Sequence, residues 1–303
     1  MTTYTRAAEL DFALADLPTV SPPDHILMAD PAEFDVLYAI NAHMVDANGN
    51  LLTVDREEAR RQWWCLREAL EGLGLQVDVL PPLEGFPDLV FCANQVLPIP
   101  SEVSGGAPLV IASHMASEER AGEVPYVVNF LRELGYQPSA LKRRDTRLEG
   151  MGDGLWHPGR RLLWGGIGPR SEAAAWTELS ARFDLPVCTL ELEDPDFYHL
   201  DTALAMIDER TCLWAPAAFT PEGRGLVEAL FERPIAAPEG EAREGFACNA
   251  LCPDQKHVLI QRGNAVTKER LEAAGLAVLE LETSEFMKSG GSVFCMKLLH
   301  GPL

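Results

Sequence analysis

Apolar runs and helical periods alternate at the start of the chain, and their order predicts an α/β protein. The apolar run at residues 25–29 predicts a first strand, and alternating apolar and polar residues at 76–80 predict a second. Between them, apolar residues recur at helical spacing over residues 57–73. We expect a helix there, with Trp63 and Trp64 on its apolar face.

The same patterns continue to the end of the chain. Strand segments are predicted on both sides of a polar pivot at residues 88–98, at residues 109–112 and at residues 293–299. Helices are predicted at residues 117–134, 171–183, 223–232 and 268–274. No Pro-rich or charge-rich linker divides these elements. The sequence therefore predicts one domain over residues 1–303, with an irregular lead-in over residues 1–23.

A weak internal repeat organises the predicted elements. In each copy a small polar residue precedes a short apolar strand, a turn and a second apolar strand. The copies are spaced by roughly 45 to 60 residues, and they begin at Asn94, Asp153, Asp201, Asn249 and Ser292. Such spacing predicts a ββαβ unit that closes into a ring. The polar residues that begin the copies would then meet at the centre, where they form a binding site.

The charge of the chain excludes some classes of partner. With a net charge of −21, the protein is not expected to bind nucleic acid or anionic membrane surfaces. The same charge attracts a small cationic substrate, although a requirement for solubility alone would also explain it. No apolar run approaches the ~20 residues of a membrane span.

The cysteines and the N-terminal sequence predict a cytoplasmic protein. The seven cysteines are an odd number and are scattered, with no paired C-x-x-C motifs, so we expect reduced thiols and no zinc site. The first ten residues lack the basic start and the apolar stretch of a signal peptide.

Cys295 is a candidate nucleophile near the end of the chain. The glycine pair at residues 290–291 lies in a turn just before it, and glycines allow backbone N–H groups to approach a ligand closely. A cysteine in this position becomes a nucleophile if a histidine and a carboxylate converge on it. The alternative is a buried strand cysteine without chemistry.

Other candidates begin or end copies of the repeat. Glu149 and Asp153 lie four residues apart in a glycine-rich stretch, where a solvated turn is the alternative interpretation. Strand alternation would place His199 and Asp201 on one face. Arg170 follows a Gly-Ile-Gly-Pro segment and could equally be a surface charge.

Taken in order, these segments resemble the guanidine-modifying superfamily, which has the pentein fold, a five-bladed α/β propeller. Its members include dimethylargininase, arginine deiminase, arginine dihydrolase and the amidinotransferases. The resemblance extends from about residue 26 to residue 299, and its motifs are Ile40-Asn41-x-x-Met44, Phe91-Cys-Ala-Asn94, Arg120-x-x-Glu123, Glu149-Gly-Met-Gly-Asp153, Gly168-Pro-Arg170, Tyr198-His199-Leu-Asp201 and Ser289-Gly-Gly-Ser-Val-Phe-Cys295.

The resemblance implies roles for the matched residues. Cys295 would be the nucleophile, His199 the general acid and base, and Glu149 a catalytic carboxylate that also holds the guanidinium. The residues implied in substrate binding are Asn94, Asp201, Arg170, Arg120, Asn41 and Asp153. Among these, Arg170 would bind the substrate carboxylate, with Arg120 as a second candidate. Neither a metal nor an organic cofactor is implied, and the oligomeric state stays open, a homo-oligomer included.

Asn94 differs from the residue that part of the superfamily carries at the matching position. Dimethylargininases and arginine deiminases usually carry an aspartate where this chain has Asn94, whereas arginine dihydrolases carry Phe-Thr-Ala-Asn. An asparagine removes one negative charge and keeps the hydrogen bonding, so the site could also hold neutral citrulline. The sequence therefore favours an arginine dihydrolase, which produces ornithine, ammonia and carbon dioxide.

The alternatives are ordered by the same motifs. Dimethylargininase is the second candidate, followed by arginine deiminase and by an amidinotransferase, which would need an amine acceptor. Catalytically silent pentein proteins such as the ribosome anti-association factor lack the Cys/His/Glu set that this chain carries.

Overall fold

The strands among the described residues form five small, separate sheets. The computed structural model describes residues 3–106 and 108–301, and within them the strands are β1 Thr3–Tyr4, β2 His25–Ala29, β3 Gln76–Leu80, β4 Val96–Ile99, β5 Leu109–Ala112, β6 Gln137–Ser139, β7 Gly154–Trp156, β8 Leu163–Ile167, β9 Val187–Glu191, β10 Leu204–Met206, β11 Thr211–Trp214, β12 Arg233–Ala236, β13 His257–Gln261, β14 Ala277–Leu281 and β15 Leu298–His300. The sheet orders are β15-β2-β3, β4-β5-β6, β1-β9-β8-β7, β10-β11-β12 and β13-β14.

Four of these sheets share one pattern of pairing. An antiparallel pair is followed by a parallel pair in β4-β5-β6, in β7-β8-β9, in β10-β11-β12 and in β15-β2-β3. The β13–β14 pair is parallel, and an isolated antiparallel bridge joins Leu251 to Leu259 on β13. The last strand of the described chain, β15, pairs with β2 near its beginning.

Helices connect the parallel strands, as parallel pairing requires a crossover. Helices of the described residues are α1 Arg56–Gly72, α2 Ser101–Ser104, α3 Glu118–Ala121, α4 Glu123–Glu133, α5 Gly150–Asp153, α6 Ala173–Phe183, α7 Leu200–Ala203, α8 Pro221–Leu230, α9 Glu239–Arg243, α10 Ala265–Ala273 and α11 Ser284–Met287. None of them is long and apolar enough to cross a membrane. The predicted α/β class is confirmed.

Three predicted elements in the first half of the chain differ from the structure. Residues 88–91 were predicted as a strand half, but Pro87–Val90 is a 3-10 turn, since proline begins it and Phe91 N–H donates to Asp88 C=O. The helix predicted at 117–134 is divided at Gly122, where a Cβ atom would lie 2.3 Å from the Phe86 ring.

The lead-in is the third difference. It was predicted to be irregular, but Thr3–Tyr4 pairs in parallel with Val187 and Cys188 of β9. Thr19 also forms an antiparallel bridge with Arg160. The lead-in is therefore attached to the sheet β1-β9-β8-β7.

The two adjacent tryptophans of α1 lie in different environments. The helix begins after Asp55, whose carboxylate accepts hydrogen bonds from two first-turn N–H groups. Trp63 is 1% exposed and belongs to the core, as predicted. Trp64 was predicted on the same face, but it is 46% exposed and lies beside Arg67. One residue of helix turns a side chain by about 100°, so neighbours rarely share a face.

The different exposure of Trp63 and Trp64 allows a matched test of which face of α1 packs against the core. We expect Trp63→Ala to lower the free energy of unfolding by about 3–5 kcal/mol, because it leaves a cavity among packed side chains. Trp64→Ala should cost less than about 1 kcal/mol, because only the exposed contact with Arg67 is lost. Urea unfolding of both variants measures the difference, and equal losses would contradict this placement of α1.

Candidate active site

Two short helices carry four of the predicted site residues. Glu149 precedes α5, which contains Asp153, and His199 precedes α7, which contains Asp201. Strand alternation was therefore the wrong reason to group His199 with Asp201. The helices bring both residues into the site, and all four side chains are 2% exposed or less.

Glu149 lies at the centre of the network. Its Oε2 accepts hydrogen bonds from His199 Nε2 at 2.7 Å and from Arg170 Nη1 at 3.2 Å. Its Oε1 accepts one from the backbone N–H of Ala116 at 2.8 Å. Burial alone would raise the pKa of Glu149, but the hydrogen bond and charge of His199 and the charge of Arg170 lower it to about 2. The carboxylate is therefore ionised and fixes the His199 ring.

Asp153 lies behind this network. Its Oδ2 accepts a hydrogen bond from Ser171 Oγ at 2.6 Å, and its Oδ1 accepts one from Leu200 N–H at 3.0 Å. Ser171 Oγ also accepts a hydrogen bond from the Glu149 backbone N–H at 2.9 Å. Both carboxylate oxygens thus have hydrogen-bond partners within the protein. The bond to Leu200 N–H connects α5, which contains Asp153, to α7. Its role in substrate binding stays a prediction.

Cys295 lies in a turn that Asn249 holds in place. The predicted strand over 293–299 is confirmed only for its end, since β15 begins at Leu298. Asn249 Oδ1 accepts hydrogen bonds from the N–H groups of Ser292, Phe294 and Cys295 at 3.1, 3.1 and 3.3 Å. These bonds replace the ladder bonds of a strand.

The sulfur of Cys295 has two polar neighbours. Asn249 Nδ2 donates to Sγ at 3.1 Å, and Sγ–H donates to Asp201 Oδ2 at 3.2 Å. Burial and the charge of Asp201 raise the pKa of the thiol well above its usual value, while the Asn249 donor lowers it. The resting site therefore holds a thiol.

Asn94 presents its amide donor to the site. Arg120 Nη1 donates to Asn94 Oδ1 at 2.9 Å, and a guanidinium has no acceptor, so this contact fixes which amide atom is which. Asn94 Nδ2 is buried and has no hydrogen-bond partner among the described residues. Asp201 Oδ1 is likewise a buried acceptor without such a partner. Asp88, which lines the same cavity, has a third such atom in its Oδ2. The site thus offers a free donor at Asn94 and free acceptors at Asp201 and Asp88.

Arg120 is held by the protein around it. It is 3% exposed and pairs with Glu123 at 2.8 Å, and its Nη2 donates to the carbonyls of Asp88 and Phe91 at 3.1 Å each. Burial opposes the charged form, but the charges of Glu123 and Asp88 raise the pKa of Arg120 above its usual value. Arg120 lines the cavity of the site while it orients Asn94.

Arg170 and Asn41 lie on the other side of the cavity. Arg170 Nη2 donates to Ile40 C=O at 2.9 Å, and its guanidinium lies 5.1 Å from the centre of the Tyr198 ring. Asn41 Nδ2 donates to Ser289 C=O at 3.0 Å, and Tyr198 Oη donates to Gly290 C=O. At Gly290, φ is +90° and a Cβ atom would lie 2.7 Å from Tyr198 Oη, so a larger residue would not fit here.

One small cavity connects these groups. Six of the nine predicted site residues line it: Asn41, Asn94, Arg120, Arg170, His199 and Cys295. Glu149 and Asp201 contact these residues directly. The prediction missed Asn249 as a site residue, although it begins a copy of the repeat, as Asn94, Asp153 and Asp201 do. Position in the repeat was therefore a sufficient signal.

The contacts of Asn249 predict a change in thiol reactivity. We expect Asn249→Asp to slow alkylation of Cys295 by iodoacetamide by about tenfold or more at a fixed pH, because a donor to sulfur becomes a negative charge and raises the thiol pKa. Peptide mass spectrometry assigns the alkylation to Cys295 among the seven cysteines. The control is Asn264→Asp, another buried asparagine, whose amide donates to Gly245 and Gln261 carbonyls. Equal rates in both variants would contradict the prediction.

Comparison with known proteins identifies relatives that match 89% and 90% of this chain. No family model matches the chain. The bifunctional arginine dihydrolase/ornithine cyclodeaminase AgrE of Nostoc sp. is 35% identical over 274 residues, which cover 90% of this chain and 37% of that protein. The N(G),N(G)-dimethylarginine dimethylaminohydrolase of Mycobacterium tuberculosis is 35% identical over 274 residues, 89% of this chain and 84% of the relative.

A solved structure of an arginine dihydrolase domain also matches this chain. It is the N-terminal domain of ArgZ, an arginine dihydrolase from cyanobacteria, as a cysteine-to-serine mutant bound to substrate. It superposes with a TM-score of 0.83 at 33% identity, over 91% of this chain and 97% of that domain. These findings confirm the resemblance drawn from the motifs. The chain belongs to the guanidine-modifying superfamily of amidine hydrolases, in the branch that contains the arginine dihydrolases.

Proposed function

We propose that the protein is an arginine dihydrolase, and the orientation of Asn94 carries this proposal. Its oxygen is engaged by Arg120, so the atom left for a ligand is the donor Nδ2. A guanidinium has only donors and cannot use it. The ureido group of citrulline has a carbonyl oxygen that can accept from Nδ2. This free donor therefore suits citrulline, the intermediate of a double hydrolysis.

The arrangement of the chain is part of the proposal. We infer that the five sheets are the blades of a closed α/β propeller and that residues 1–303 form one catalytic domain. The shared strand pattern and the pairing of β15 with β2 support a ring. All seven cysteines are free thiols, which supports a cytoplasmic location.

The substrate would occupy the cavity with its guanidinium between the two carboxylates. Asp201 Oδ1 accepts from a guanidinium N–H group, and the ionised Glu149 adds a second negative charge. Arg170 lines the same cavity and would bind the α-carboxylate of the amino acid. The positive guanidinium also offsets the charge of Asp201 and so favours the thiolate of Cys295.

The first hydrolysis proceeds through a covalent adduct. Cys295 loses its thiol proton to His199, which lines the same cavity, and the resulting thiolate attacks the central guanidinium carbon and forms a carbon–sulfur bond. A carbon–nitrogen bond breaks, and His199 gives its proton to the departing nitrogen, which leaves as ammonia. His199, held by Glu149, then takes a proton from water, and the hydroxide attacks the same carbon. The carbon–sulfur bond breaks, and citrulline forms.

The second hydrolysis repeats these steps on citrulline. The thiolate attacks the ureido carbon while Asn94 Nδ2 donates to the oxygen that becomes negatively charged. Ammonia leaves with a proton from His199, and a second water releases a carbamate from sulfur. The carbamate decomposes to carbon dioxide and ornithine. One arginine and two waters thus give ornithine, two ammonia molecules and carbon dioxide.

Dimethylargininase is the second candidate function. The relative from Mycobacterium tuberculosis acts on dimethylarginine, according to its name, and matches most of this chain. The same covalent steps would release dimethylamine from dimethylarginine and stop at citrulline. Release of dimethylamine, with added citrulline left unchanged, would favour this candidate over the dihydrolase.

The proposed role of Arg170 predicts a difference between arginine and agmatine, which lacks the carboxylate. We expect Arg170→Ala to lower kcat/KM for arginine about 10- to 100-fold more than for agmatine, because a charge-assisted pair is lost only with arginine. Any disturbance of Glu149 would affect both substrates alike. Steady-state kinetics with both substrates test this prediction. The control is Arg147→Ala, because Arg147 is more exposed than Arg170. Equal losses for both substrates would assign Arg170 a structural role only.

The orientation of Asn94 predicts the products of the reaction. We expect the wild type to convert added citrulline to ornithine, with Cys295→Ser as the inactive control. Asn94→Asp should consume arginine but stop at citrulline, because its free atom becomes an acceptor and its charge disfavours a neutral ligand. Amino-acid analysis of both reactions measures this. A wild type that accumulates citrulline and leaves added citrulline untouched would contradict the dihydrolase proposal.

A further inference from the structure

Gly152 lies directly against the amide of Asn94. A Cβ atom built on Gly152 would lie 2.3 Å from Asn94 Nδ2 and 3.3 Å from the nearest carbons of the His199 ring. Side-chain Cβ atoms essentially never approach another heavy atom within 3.0 Å. The φ angle of Gly152 is not positive, so the backbone of α5 would accept an alanine here. Glycine is therefore required by the space that Asn94 and His199 occupy.

The rest of Asn94 is fixed by the protein around it. The N–H of Met151 donates to Ala93 C=O at 2.7 Å, which joins α5 to the turn that contains Asn94. Ser113 Oγ donates to the backbone C=O of Asn94 at 2.6 Å, and Arg120 Nη1 donates to its Oδ1 at 2.9 Å. With both oxygens held, Nδ2 has one position, against α5. A side chain at this point of α5 would turn the amide and break its bond with Arg120.

The groups around this space differ in how much each hydrolysis needs them. Asn94 Nδ2 and the His199 ring lie around the same point of α5, so an oxygen that accepts from Nδ2 lies near the proton donor. A guanidinium has no acceptor, so the first hydrolysis does not depend on Nδ2. The ureido oxygen of citrulline accepts from it and gains negative charge when the thiolate attacks. A residue that fixes Nδ2 therefore acts selectively on the second hydrolysis.

We propose that Gly152 is a positioning residue that allows citrulline to be hydrolysed. The absence of a side chain leaves the space in which Asn94 Nδ2 lies beside His199, and both of these residues line the cavity. Gly152 acts through Asn94 rather than on the substrate. In the sequence it is the second glycine between Glu149 and Asp153. This inference rests on the proposed function, because it takes citrulline as the intermediate.

The test compares arginine and citrulline as substrates of Gly152→Ala. We expect kcat/KM for citrulline to fall about 100-fold or more, as on removal of one preorganised donor to a developing negative charge. The value for arginine should fall less than about tenfold, because the His199 ring has to shift by only a few tenths of an ångström. Both substrates carry the same α-amino and α-carboxylate groups, so altered binding of those groups cancels in the ratio of the two values.

Two further variants separate this role from a general loss of structure. Gly225→Ala adds a Cβ atom to α8 with no heavy atom within 4 Å, and it should leave both reactions unchanged. Asn94→Ala removes the amide, so adding Gly152→Ala to it should not destabilise the protein further in urea unfolding. This double variant should fold even if Gly152→Ala alone does not, because the closest atom to the new Cβ atom is gone.

Three results would overturn the inference. They are equal losses of kcat/KM for both substrates, a folded Gly152→Ala that hydrolyses citrulline as the wild type does, and a loss of stability from Gly152→Ala that is as large in Asn94→Ala as in the wild type. A wild type that leaves added citrulline unchanged would instead contradict the proposed function. The two proposals therefore fail by different observations.

Discussion

The structure depends on one fully buried carboxylate, that of Glu149. A carboxylate without water needs donors for its lone pairs, and here they come from Ala116, Arg170 and His199. These donors lie on separate segments of the chain. Satisfying a single charge thus fixes the relative positions of three blocks of sequence. Because Arg170 is cationic, the buried carboxylate has a counter-charge within the protein itself.

The sequence predicted most of the fold because regular elements follow local patterns. The alternation at residues 76–80 corresponds to β3, and the helical period over 57–73 corresponds closely to α1. It failed where contacts from distant residues decide the backbone. Residues 293–297 are apolar enough for a strand, but the side chain of Asn249 takes their N–H groups and makes them a turn. No local pattern contains that information.

The same distinction applies to the site. Motif order predicted Cys295, His199 and Glu149 as catalytic residues, and in the structure His199 is hydrogen-bonded to Glu149. The direction of the Asn94 amide could not be predicted, because it is set by Arg120, whose own position is set by Glu123 and two carbonyls. Likewise, the strand predicted to group His199 with Asp201 was wrong. His199 lies just before α7 and Asp201 lies within it, and both side chains reach the site from there.

The contact between Arg120 and Asn94 also bears on how this superfamily changes its chemistry. An aspartate at position 94 would still present an oxygen to Arg120, and the buried pair of Arg120 with Glu123 would remain in place. Only the atom that faces the cavity would change. Codons for asparagine and aspartate differ by a single base. Under the proposed function, an enzyme that stops at citrulline and one that continues to ornithine can therefore lie one nucleotide apart.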